Sequence, residues 1–117
     1  VIFEKKKEPL RGKPTPVLLL RNVVLAGEVV DTLEDDVAEH CEKFGDVVRV
    51  FIFEIEEEGF AEEEAVRIFV EFVDTKNAIS AGAELDGRVF ANRAVKASYY
   101  DVERFEAGDL GPQAGET

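Results

Sequence analysis

Ala65-Val66-Arg67-Ile68-Phe69-Val70-Glu71-Phe72 is the stretch on which the fold turns. Successive side chains of a strand point to opposite faces, so a period of two sorts these residues into two sets. Val66, Ile68, Val70 and Phe72 make an unbroken apolar face that needs a core to lie against. Ala65, Arg67, Phe69 and Glu71 make the other face, which the alternation assigns to solvent. A sheet with one such apolar face needs helices to cover it, and the flanking sequence supplies two.

Outward from this strand, a glutamate-rich loop (Glu56 to Glu64) precedes it, and Val47 to Ile55 reads as another strand. Before that, Thr32 or Asp31 caps a helix running to about Phe44, with Gly45 as its stop; Thr32 and Asp35 have capping-box spacing. Val17 to Asn22, β-branched and leucine-rich, is the first strand. On the other side, Asp74 or Thr75 caps a second helix ending near Leu85, and Asp86-Gly87 makes a turn. Ala94 to Tyr100 is the fourth strand, and a short helix follows around Asp101 to Ala107. The order βαββαβ predicts an α+β, ferredoxin-like sandwich: a four-stranded antiparallel sheet, two helices on one face, and a short C-terminal helix. The expected domain is 17–107. Residues 1–16, with Lys, Gly and three prolines, read as a flexible linker, and 108–117 as a tail. This architecture serves many unrelated activities, so function has to come from side chains.

Charge narrows the field. The net charge is -12, and the stretch from Glu28 to Glu64 alone carries 15 acidic residues against Lys43 and Arg49. Nucleic-acid affinity comes largely from Lys and Arg displacing counterions from phosphates, so this balance argues against a phosphate-neutralising surface. An acidic block attracts basic peptides, or it is simply a solvated face. No apolar run approaches the roughly 18–20 residues a membrane-crossing helix needs. Cys41, the sole cysteine, can form neither an internal disulfide nor a zinc site, which suits a reducing compartment. Val1 in place of a starting methionine leads us to expect a piece of a longer intracellular protein. No nucleophile triad, phosphate loop or paired catalytic carboxylates stand out, so neither an enzyme nor a cofactor is expected.

The first and third strands occupy the places of the two ribonucleoprotein motifs of RNA-recognition motifs, which stack bases on exposed aromatic rings. Here Leu19 holds the aromatic position of the first strand. Arg67 holds the first aromatic position of the third, and Ala65 its leading basic position. Phe69 survives alone, beside Glu71, and could stack one base or pack under Tyr100 or Phe105. Phe69, Arg67 and Leu19 are therefore the only candidates for single-stranded RNA binding. After the second helix, Leu85-Asp86-Gly87-Arg88-Val89-Phe90-Ala91-Asn92-Arg93 contains an Arg-X-Phe tripeptide. Together with the acidic first helix and the runs LLLRN, AGEV, CEKFGDV, FEI, EAVRIF, LDGR and VKA, it resembles the U2-auxiliary-factor homology motif. That branch of the RNA-recognition fold binds peptides.

The resemblance implies a role for each residue. Members bind a short disordered peptide whose basic residues precede a tryptophan, and the indole enters a pocket between the two helices. By that likeness Phe90 packs against the indole, Val89 completes the loop, and Arg88 lies over the ring and pairs with Asp36. Partners implied are splicing proteins with tryptophan-bearing linkers: the branch-point-binding protein, the large pyrimidine-tract auxiliary subunit and the scaffold subunit of the U2 particle. The implied location is the nucleus. RNA binding is expected to be weak or absent.

Helix geometry, at 100° per residue, places Leu33, Val37, Cys41 and Phe44 on one apolar stripe that must face the core. Asp35, Glu39 and Glu42 point away to solvent. Asp36 and His40 flank one edge of the stripe, one turn apart, and Glu34 flanks the other. Val30 and His40 stand where a member of the resembled branch carries acids that line the basic end of the peptide. Asp31 and the glutamate loop are expected to substitute in part. His40 lacks a second His or Cys with which to hold a metal, and Cys41 on the core stripe reads as a packed thiol. Read without the resemblance, Arg88 merely holds a turn and Phe90 is core.

Overall fold

The computed structural model describes residues 10, 12–24, 27–55, 64–90 and 92–112, with the backbone alone at Phe90. The elements run β1 (Val17–Arg21), α1 (Leu33–Cys41) extended by a 3-10 turn (Glu42–Phe44), β2 (Val47–Glu54), β3 (Val66–Phe72) and α2 (Thr75–Leu85). Then come β4 (Val89–Phe90), β5 (Arg93–Ala94), β6 (Lys96–Tyr99) and α3 (Val102–Glu106). Four strands form an antiparallel sheet in the order β2-β3-β1-β6, while β4 and β5 pair separately as a small hairpin. The fold is the α+β, ferredoxin-like sandwich expected from the pattern. The single strand expected over Ala94–Tyr100 is divided at Val95, and its first residues belong to the hairpin. The expected glutamate-rich loop lies outside the described residues except for Glu64.

The alternation of β3 places its apolar set as expected. Val66, Ile68, Val70 and Phe72 are buried with Leu18 and Leu20 of β1, Cys41 of α1 and Ala78, Ala81 and Leu85 of α2. One glycine governs how closely the two helices approach on this face. Gly45, at φ +150, occupies a conformation that L side chains rarely adopt, and a Cβ there would collide with the Asn77 side chain of α2. The stop expected at this glycine is therefore also a contact between helices. The capping box expected between Thr32 and Asp35 does not form. Thr32 already has helical dihedrals (φ -90, ψ -5), so its hydroxyl is not turned back to the first amides as an extended N-cap would turn it. Instead Thr32 Oγ1 donates to Asp36 Oδ2 at 3.4 Å.

The opposite face overturns one expectation. Arg67 and Phe69 do point away from the helices, but neither reaches solvent: both are 0% exposed. With Val17 and Leu19 they lie beneath Tyr100, Phe105 of α3 and Leu110, in a second apolar cluster. The rings of Phe69 and Tyr100 meet edge to face at 4.8 Å, and those of Phe69 and Phe105 lie 5.7 Å apart. Arg67 Nε donates to the Leu110 carbonyl at 2.7 Å, its Nη1 lies 3.1 Å from Glu64, and Glu64 also pairs with Arg21 at 2.6 Å. The Tyr100 hydroxyl donates to the Asp109 carbonyl. The packing extends past both expected domain boundaries. Leu110 is buried, Leu10 packs on the helix-side core, and Thr15 Oγ1 lies 2.6 Å from the Tyr100 carbonyl.

Candidate functional site

The apolar stripe of α1 does more than fill the core. Beside it opens a cavity of about 380 Å³, walled by Leu33, Val37 and Cys41 of α1, Leu20 of β1, Val23 and Val24 just after it, Leu85 of α2, and Val95. Among the described residues, Asp36 and His40 are its only polar lining residues. They come one turn apart on α1, as the helical wheel places them, so the wall is apolar and its polar groups lie along one edge. Asp35, Glu39 and Glu42 are exposed, as their position on the wheel requires. A site with mostly hydrophobic walls and few convergent polar groups has the usual character of a pocket for an apolar or aromatic ligand group.

Electrostatics at the rim follow from neighbours. Burial, then Lys43 and Arg88, hold the His40 imidazole below its ordinary value, so it is neutral near pH 7. Its ring also meets Phe44 at 6.4 Å in an edge-on contact. Arg88 is the smallest of these influences on His40, and its own side chain is exposed. Burial pushes the Cys41 thiol up to about 11, which leaves it protonated and unreactive as a nucleophile.

The Arg-X-Phe tripeptide straddles the start of the hairpin. Gly87 N–H donates to the Val95 carbonyl at 2.7 Å and Val95 N–H to the Arg88 carbonyl at 2.8 Å, so Val95 ties the hairpin base to the cavity wall. Val89 is 65% exposed and pairs with Ala94; Phe90 pairs with Arg93 through its backbone, and its side chain is outside the description. The structure brings Asp36 and His40 to one rim, while Arg88 is not a lining residue of the cavity. Asp31 is exposed and does not line the cavity, and neither does Val30. Of the residues weighed for RNA binding, Phe69, Arg67 and Leu19 are all 0% exposed beneath the C-terminal segment.

Sequence reasoning missed Val23, Val24, Leu85 and Val95 as lining, because a pocket built from four elements has no local period. It held the seal on the sheet as one of two alternatives for Phe69, packing under Tyr100 or Phe105, but did not foresee that Arg67 is buried there too. The one available signal was Arg67 itself, a charged side chain inside an otherwise apolar strand, whose burial demands partners.

The RNA recognition motif family matches this chain over residues 30–96. DNA-damage-repair/toleration protein 111 of Arabidopsis thaliana is 50% identical over 111 residues, 95% of this chain and 29% of that protein. Splicing factor 45 of Homo sapiens is 49% identical over 100 residues, 86% of this chain and 24% of that protein. Poly(U)-binding-splicing factor PUF60 of Homo sapiens is 45% identical over 104 residues, 86% of this chain and 18% of that protein. The chain thus spans between 18% and 29% of the length of these relatives. Among solved structures, the RNA15 RRM superposes with a TM-score of 0.61 at 21% identity, covering 80% of this chain and 99% of that one. At that identity the likeness speaks for the fold alone.

Proposed function

This chain belongs to the RNA recognition motif family, and on that premise we propose that it is a peptide-binding module of pre-mRNA splicing, a U2-auxiliary-factor homology motif. Its ligand is a basic linear segment carrying a tryptophan, the indole entering the cavity beside α1 under the Arg88-Val89-Phe90 hairpin. One observation carries this reading. The apolar cavity, with Asp36 and His40 at its rim, stands open, while the face on which the family stacks bases lies under α3 and Leu110. Relatives named as splicing factors support a role in splicing, and with it a nuclear location.

The magnitudes are consistent with such a ligand. Burying about 200 Å² of indole at about 25 cal/mol/Å² offers about 5 kcal/mol gross. A guanidinium over the ring adds about 1–2 kcal/mol. After ordering costs the outcome is roughly micromolar. Asp36 meets the peptide's cations and pairs with Arg88, while the neutral His40 contributes no attraction. Partners with this chemistry are the tryptophan-bearing linkers of the branch-point-binding protein, the large auxiliary-factor subunit and the U2 particle scaffold subunit.

The test is calorimetric titration with a Lys/Arg-rich peptide carrying one tryptophan, with its Trp-to-Ala counterpart, and with uridine-rich RNA. Micromolar binding of the first alone supports the reading. Tight RNA binding, or equal affinity for both peptides, overturns it.

A further inference from the structure

Asn22 ends β1 with φ +65, a left-handed conformation that among L residues asparagine tolerates best. The turn it makes does two things at once. It drops Val23 and Val24 into the cavity wall, and it aims the Asn22 side-chain amide at the Ala94 carbonyl, 3.0 Å away on β5. Ala94 is the pairing partner of Val89, the middle residue of Arg88-Val89-Phe90. The other residue of β5, Arg93, pairs with Phe90 and lies 4.0 Å from the Glu28 carboxylate. Both residues of β5 are therefore held by the connection between β1 and α1, and each stands opposite one residue of the tripeptide in the hairpin register.

We infer that Asn22 is a positioning residue for peptide recognition: through Ala94 it holds the hairpin at the distance from Val23 and Val24 that an aromatic side chain needs. This rests on the peptide reading above. The Asn22–Ala94 bond is exposed, and a hydrogen bond shared with water contributes little to folding. Its effect falls on geometry instead. A two-residue hairpin outside the main sheet has few other constraints, and a displacement of about 1 Å is enough to spoil a positioned contact. Glu28 and Arg93 give a weaker second tether, since their contact is long and the Glu28 side chain is 57% exposed.

Asn22→Gly keeps the backbone conformation and removes the donor, and Asn22→Asp keeps the shape while placing a carboxylate against the Ala94 carbonyl. Three readouts separate the possibilities: peptide affinity by calorimetry, the thermal midpoint, and the Val89 and Phe90 amide resonances of the free domain. Both variants should fold with nearly unchanged midpoints, shift those amides and bind the tryptophan peptide about fivefold more weakly. In a Phe90→Ala background the Asn22 loss should disappear, because the hairpin no longer carries its contact. Wild-type affinity in both variants, or an undiminished loss in the Phe90→Ala background, overturns the inference. If the unmodified domain fails to bind the peptide, the peptide reading falls, and unshifted amides in both variants would still refute Asn22 as what positions the hairpin.

Discussion

Replacing Phe105 with alanine asks which face of this domain is available to ligands. Phe105 is 6% exposed, its ring 5.7 Å from Phe69 and under the Arg49 guanidinium at 4.7 Å. Deleting a buried phenylalanine ring costs about 3–5 kcal/mol in a rigid core. Beneath a helix of only five residues the gap can partly collapse, so the lower figure, about 3 kcal/mol, applies. A five-residue helix such as α3 has no stability of its own, so the loss falls on the docking of residues 102–110. The helix-side core is untouched. Amides of α3 should then exchange about a hundredfold faster, since each 1.4 kcal/mol is about tenfold, while β1 and β3 keep their protection.

That release sets the stake for RNA. Phe51, opposite Phe69 in the β2–β3 register, is already 47% exposed. Uncovering Phe69 would give two rings. Stacking is worth about 1–3 kcal/mol per base, so two bases yield about 4 kcal/mol, a dissociation constant near 1 mM. Arg67, held by Glu64, adds little, and the acidic stretch repels phosphates. Anisotropy titration of a labelled uridine-rich oligonucleotide should thus give millimolar or weaker binding at physiological salt for Phe105→Ala and for the wild type. A complex tighter than about 10 µM that disappears on Phe69→Ala would refute this reasoning, because the sheet would then be a nucleic-acid surface held shut by α3.

Phe90→Ala should lose about 2 kcal/mol or more of peptide binding, as hot-spot anchors do, with folding retained; an unfolded variant would make Phe90 a core residue and end its role at the pocket wall. Asp36→Ala and Arg88→Ala should each weaken peptide binding, and a double-mutant cycle should find the losses non-additive; strict additivity would show that the two do not act together. His40→Glu should tighten binding of a Lys/Arg-Trp peptide about two- to fivefold at low salt, and no change there would place residue 40 away from the peptide's basic end. Because His40 titrates below its ordinary 6.5 in the fold, the unfolded chain takes up its proton first, so stability should fall as pH drops below that value. Denaturant midpoints of His40→Gln should fall less over the same range.

How much of this was legible in the sequence depends on how local each cause is. The period-two pattern of β3 and the 100° wheel of α1 follow from neighbouring residues, and both predicted correctly which side chains meet the helix-side core. The placement of Asp36 and His40 on the edge of the stripe was equally local. The cap at Thr32 failed because a propensity for capping does not fix the backbone dihedrals of the residue that bears it. The burial of Arg67 and Phe69 is set by Tyr100, Phe105 and Leu110, more than thirty residues downstream, and no pattern within the strand carries that information. The cavity, gathered from β1, α1, α2 and Val95, lies beyond local reading for the same reason.

The non-aromatic residues on the sheet and the segment that covers them depend on each other. A guanidinium with no exposed surface is sustainable only if its donors are met, and the Leu110 carbonyl meets Nε while Glu64 meets Nη1. Without residues 101–110, Arg67 would be solvated, but Val17, Leu19 and Phe69 would form an exposed apolar patch of the kind that soluble domains rarely tolerate without a partner. Without Arg67, the Leu110 carbonyl and Glu64 would each lose a cationic donor at the point where the tail crosses the sheet. Arg21 deepens the dependence: it is paired with Arg67 across the β1–β3 register, and two like charges so placed repel unless an anion lies between them, which is where Glu64 stands. On a surface so constrained, a change at one of these residues disturbs the others. The α1 edge is under no such constraint: its polar rim, at Asp36 and His40, can change without disturbing the apolar wall behind it, and that is where we expect ligand preference to be set.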